Sequence, residues 1–154
     1  MKAKKVLTVI AALIIIAANY GFKHAFDGQD WLNYTNRCLA QSYDPSGDVK
    51  IKKVELTVTA DYFVRLRKTY AKERQEYYSF NLQKFSDLDY LGSTNNGILE
   101  LSTLADDIIV QTYNDRKGDV DSMTTVLDIP VKNMEPERLD SLREAFNYFK
   151  AKGL

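Results

Sequence analysis

Nucleophilic and acid–base catalysis usually needs a base beside the attacking group, most often histidine. The chain offers one histidine, His24, and one cysteine, Cys38. Zinc would lack both thiolates and imidazoles, and an internal disulfide is impossible. No HExxH, GxGxxG, Walker A or GxSxG pattern occurs, so zinc-protease, dinucleotide, nucleotide-phosphate and serine-hydrolase chemistries have no motif to stand on. Carboxylates remain. Asp106 and Asp107 adjoin in an expected strand-to-strand turn, and Asp115, Asp119 and Asp121 surround a loop with Gly118. A carboxylate enzyme built on Asp106, Asp107 or Asp121 would need one carboxyl in an apolar pocket. Hard cations take oxygen ligands, which makes Asp115, Asp119 and Asp121 candidates for calcium. Their spacing is not that of an EF-hand, a closing bidentate Glu is missing, and Asp and Asn also favour such loops as plain turn formers. No catalytic residue and no cofactor is expected.

The other chemistry on offer is recognition. Ten tyrosines and seven phenylalanines are many for 154 residues. In a strand, successive side chains point to opposite faces. Phe63, Arg65 and Arg67 therefore lie on the face opposite Tyr62, Val64 and Leu66, and Tyr77-Tyr78 must place one ring on each face. Arginine beside aromatic rings is the composition of protein-binding surfaces. Phe63, Arg65, Arg67 and Tyr77 are thus the candidate patch for a protein partner. The competing reading is ordinary cross-strand aromatic packing.

The elements that must carry these residues run from Val49 to Val131. Val54, Leu56 and Val58 alternate with polar neighbours, a turn is expected near Ala60-Asp61, and Tyr62 to Tyr70 continues the pattern. Further runs are Tyr78–Leu82, Ile98–Thr103, Ile108–Tyr113 and Met123–Ile129. Ser86 to Gly97 reads as a loop closed by the hairpin pair Asn96-Gly97, and Pro130 reads as a strand stop. Short connectors and wet outward positions favour an antiparallel sheet with one dry face. Asp27 to Gln41 reads as a helix with Trp31, Tyr34, Cys38 and Leu39 on one side. Trp31 is expected to anchor that helix to the sheet. Glu135 to Lys152 reads as an amphipathic helix striped by Leu139, Leu142, Ala145, Phe146 and Phe149. Pro136 opens it and Gly153 closes it. The expected class is α+β: an antiparallel β-meander of about six strands packed against a C-terminal amphipathic helix, with a shorter N-terminal helix.

Met1 to Lys5 carries three lysines, followed by a 13-residue apolar run, Val6 to Ala18, broken only by Thr8. That is the layout of an export signal, with Ile16-Ala17-Ala18 as a cleavage site. Extended through Phe22, the same run reaches the lower limit for an uncleaved membrane anchor. Residues 1–25 are therefore read as signal peptide or signal anchor with linker, and residues 26–154 as one α+β domain. Either way the domain lies outside the cytoplasm, in the periplasm or cell envelope. Removing Lys2, Lys4 and Lys5 from the 21 basic residues leaves 18 against 21 acidic ones, a net of −3, which gives no basis for nucleic-acid binding. The charges are uneven all the same: Val49 to Gln75 holds eight basic and three acidic residues, Ser86 to Asp121 two basic and eight acidic. The functional expectation is an exported, non-enzymatic module of the inhibitor, immunity or envelope-complex type that acts through a protein partner. The alternatives are a carrier of an apolar ligand or lipid between sheet and helix, and a carboxylate-dependent enzyme.

Overall fold

A computed structural model of the chain describes residues 27–47 and 50–153. The export or anchor segment expected within residues 1–25 lies outside them. Helix α1 (Gly28–Ser42) starts on Asp27 through a reciprocal cap. The Asp27 carboxylate accepts from the Asp30 N–H, and the Asp30 carboxylate accepts from the Asp27 N–H. Cys38 and Leu39 are buried, while Trp31 and Tyr34 are half-buried against the same core. Helix α2 (Pro136–Lys152) opens with Pro136 after Glu135 and closes at Gly153, whose N–H donates to the Phe149 carbonyl. Leu142, Ala145, Phe146 and Phe149 are fully buried. Glu137 sits near its positive end and Lys150 and Lys152 near its negative end, which suits the helix dipole. No helix among the described residues is long and apolar enough to cross a membrane.

Among the described residues eight antiparallel strands lie between the helices: β1 (Ile51–Val58), β2 (Phe63–Tyr70), β3 (Gln75–Asn81), β4 (Phe85–Gly92), β5 (Asn96–Thr103), β6 (Ile108–Tyr113), β7 (Asp121–Thr124) and β8 (Val126–Lys132). They form two sheets, one ordered β1-β2-β3-β6-β7 and the other β4-β5-β8. The class is α+β, as expected, but a single meander of about six strands is not what forms. Two local features account for the difference. The stretch read as a loop after Ser86 is β4, whose buried Phe85 and Leu88 stand three residues apart across a bulge, so strict alternation fails there. The run read as one strand from Met123 to Ile129 is two strands, broken at Thr125, that belong to different sheets.

Pro130 does not stop β8; it sits inside the strand opposite Ile98. β8 is an edge strand. The Pro130 carbonyl accepts from Asp44 N–H at 2.9 Å on the side away from β5. The nitrogen of the same residue faces that side too, so its missing proton costs no ladder bond.

The chain passes between sheets at the short 3-10 turn Leu82–Lys84, at the β5–β6 turn and at Thr125. Thr103 joins the last two, its N–H donating to the Thr125 carbonyl at 2.9 Å and its hydroxyl to the Ala105 carbonyl at 2.7 Å. One hydrophobic cluster takes residues from both sheets and both helices. Helix α2 seals it. Phe146 meets Phe85 of β4 edge-on at 5.4 Å between centroids, and Phe149 stacks on Tyr62 of the β1–β2 turn at 5.5 Å. Trp31 faces Tyr34 and, across the helix pair, Tyr148 of α2 at 6.4 Å. Its ring neighbours are thus helical, whereas the sequence suggested the sheet.

Candidate functional site

The outer face of the five-stranded sheet brings together the Arg and aromatic residues singled out above. Leu56, Val58, Val64, Leu66 and Phe80 point inward and are buried; the alternate positions point outward. Register then sets the neighbours. Glu55 lies opposite Arg67, Arg67 opposite Tyr77, Tyr77 opposite Gln111, and Gln111 opposite Asp121, one row across all five strands. The adjoining row runs Thr57, Arg65, Ser79, Ile109, Met123.

Within these rows the guanidinium groups lie over rings. Arg65 sits 5.5 Å from the Phe63 ring centre and Arg67 5.5 Å from that of Tyr77. A planar cation over an aromatic face is attracted by the ring quadrupole and is held more rigidly than a solvated arginine. Arg65 has only a 4.0 Å approach to Asp61 as ion pair and keeps 45% of its side chain exposed. Arg67, Gln75, Tyr77 and Tyr113 line a shallow depression of about 500 Å³. Glu55, Thr57, Arg65, Arg67 and Tyr77 line a second one of about 180 Å³ beside it. Tyr113 donates to Gln111 at 2.9 Å, and Gln111 donates to Asp121 at 3.3 Å, so the far end of the long row is hydrogen-bonded in sequence. The sequence reading missed Ile109, Met123 and Tyr113, which are exposed on the same face. Alternation within β6 was visible, but the β6–β7 pairing that sets Met123 beside Ile109 was not.

The calcium candidates are engaged with protein groups. The Asp115 carboxylate accepts from Arg74 Nε at 2.8 Å and from the Lys117 N–H at 2.9 Å. These two donors hold its carboxyl below the usual carboxylate range, the backbone donor most and the guanidinium next. Asp119 accepts from the Asp115 N–H, and Asp121 from Gln111. Among the described residues no three His, Cys, Asp or Glu side chains gather as a metal site. Arg74 also donates to Glu76 at 2.5 Å and lies 4.7 Å from the Tyr70 ring centre, while Tyr70 donates to Glu76 at 2.9 Å. This cluster ties the β2–β3 turn to the β6–β7 loop. Asp106 is exposed and Asp107 half-buried in the β5–β6 turn, where the Asp107 N–H donates to the Ala105 carbonyl. Asp121 stands instead on β7, at the end of the long outer row.

Cys38 is 4% exposed, and burial pushes its thiol above the ordinary range; it packs as a small apolar residue. The space between sheets and α2 is filled by Phe80, Phe85, Phe146 and Phe149, none more than 1% exposed. Comparison of the chain with protein-family models, with curated proteins and with solved structures finds no match in any of the three.

Proposed function

We propose that this chain is an exported, non-enzymatic binding module that engages another protein through the outer face of its five-stranded sheet. The observation that carries the reading is the pair Arg65 and Arg67, laid over the rings of Phe63 and Tyr77 on a solvent face. Such groups lose little side-chain freedom when a partner covers them, and Arg and Tyr are enriched among the few residues that dominate binding energy at interfaces. Ile109 and Met123 next to them are 38% and 54% exposed and add apolar area to the same surface. The partner's matching surface is acidic, since Asp61 and Glu55 leave the two guanidinium groups only partly compensated. The filled interior favours this surface reading over carriage of an apolar ligand inside the fold.

The test is affinity capture from envelope extract with the full chain as bait, beside Arg65→Glu/Arg67→Glu. A partner retained by the wild-type chain at low salt, lost on the double variant and weakened by added salt is the expected result. Equal capture by both baits at every salt concentration would remove this face as the docking surface.

A further inference from the structure

The outer strand of the same sheet has a second use, independent of the Arg/aromatic face. β1 is an edge strand. Asn36 of α1 occupies one position on that edge as a strand residue would: its side-chain carbonyl accepts from the Val58 N–H at 2.7 Å, and its amide donates to the Val58 carbonyl at 2.9 Å. Val58 therefore turns both backbone groups away from β2. Both groups of a residue face the same side in an antiparallel strand, and sides alternate. Val54 and Leu56 must then face outward as well. They open onto a groove of about 290 Å³ between β1 and α1, lined by Ala40, Tyr43, Val54, Glu55, Leu56 and Thr57.

We propose that this edge pairs with the β1 edge of a second copy of the chain, antiparallel, about a two-fold axis through Val54. Charge selects the occupant and the register. Lys53 and Glu55 flank Val54 on the exposed face, at 63% and 44% side-chain exposure, and pair with each other at 2.9 Å, with Arg67 across the strand pair a weaker second neighbour of Glu55. An axis through Val54 sets each Lys53 directly opposite the second copy's Glu55. An axis through Lys53 would set lysine opposite lysine, and one through Glu55 would set carboxylate opposite carboxylate; both are unfavourable. An axis through Leu56 would bring Val54 against the second copy's Val58, whose backbone Asn36 already holds. In the Val54 register the regular overlap is short: beyond Lys53 the strand bulges between Ile51 and Lys53, and Lys50, outside β1, has a φ of 87° that turns the chain out of the strand. Asn36, bound to Val58, closes the open edge at the other end of β1. The pairing makes one continuous sheet of two five-stranded halves and covers the exposed edge, which is otherwise a template for unspecific strand addition.

The experiment uses the full chain in detergent micelles, with its mass measured by light scattering corrected for detergent. The expected protein mass is twice the 17.6 kDa of one chain. Lys53→Glu should raise the dissociation constant by about tenfold, since it places like charges opposite each other at two symmetry-related positions. Lys53→Glu/Glu55→Lys should restore the dimer. Under mild oxidation, differently tagged Lys53→Cys and Glu55→Cys chains should form a mixed disulfide when combined, because the two positions face each other across a narrow pair, and neither should crosslink alone. A single-chain mass would overturn the proposal and leave the edge to a strand of another protein. A dimer that ignores the charge reversal and gives no mixed disulfide would overturn it equally, because its contact lies elsewhere in the chain.

Discussion

Arg74 shows how one side chain can join two loops that are distant in sequence. It donates to Glu76 beside it and to Asp115 beyond β6, and these carboxylates keep its guanidinium charged by raising an already high pKa, Asp115 most. Asp115 is held below its usual range in return. A lowered folded-state pKa means the ionised form is favoured by folding. Its stabilising contribution is complete above the unfolded-state value of about 3.9 and is lost as the pH falls through the lower folded-state value. Asp115→Asn keeps the acceptor for the Lys117 N–H but removes the charge. Urea midpoints measured from pH 7 down to pH 2 should therefore show a smaller wild-type advantage below about pH 4 than above it. A gap independent of pH would mean that Asp115 acts by shape alone. The sequence showed Asp115 as a loop acid with turn-forming neighbours. It did not show Arg74 as its partner, because that contact depends on the β3–β6 pairing.

At the scale of elements, the helices were legible because their ends are written locally. Asp27 with Asp30 marks one start, Pro136 another, and Gly153 a stop. The strands β1, β2 and β3 were legible from the sequence alternation at Val54–Val58, Val64–Arg67 and Tyr78–Phe80, although β1 bulges between Ile51 and Lys53. β4 was not, since the bulge near Phe85 shifts its parity and Asp87 and Asp89 give it the polarity of a loop. Charged residues on an edge strand also discourage unspecific pairing, so the feature that hid β4 has a physical use. Helix α2 supplies the lid that makes these strands one body. Phe146 is its central contact, fully buried and edge-on to Phe85. Phe146→Ala should cost about 3–5 kcal/mol, seen as a lower urea midpoint with an unchanged slope. A loss under about 1 kcal/mol, well below the usual range for a buried Phe→Ala change, would show that α2 is not the seal.

For the whole molecule, the decisive feature is that two sheets share one core. Sequence patterning could show which residues turn inward, and Leu56, Val64, Leu66, Phe80, Leu99, Leu101, Leu127 and Ile129 are all buried. It could not show that the inward faces belong to separate sheets, because Met123, Leu127 and Ile129 read as one apolar face, whereas the facing flips at Thr125: Met123 is exposed on the outer side of one sheet, and Leu127 and Ile129 are buried in the other. Sharing has a consequence for unfolding. If the smaller sheet had its own core, damage there would leave the larger sheet and the helices standing. The cluster instead holds Leu101 of β5, Phe85, Phe146 and Leu39 of α1 together, so damage in the small sheet is expected to loosen the whole. Trp31 reports from the opposite end, between Tyr34 and Tyr148. Leu101→Ala removes a fully buried side chain from the small sheet and should cost about 2–5 kcal/mol. In that variant tryptophan fluorescence and far-ultraviolet circular dichroism should move to the same lower denaturant midpoint, as one cooperative transition requires. A fluorescence midpoint that stays at its wild-type position while the dichroism signal falls early would divide the molecule into two independently stable layers, and α2 would then belong to only one of them.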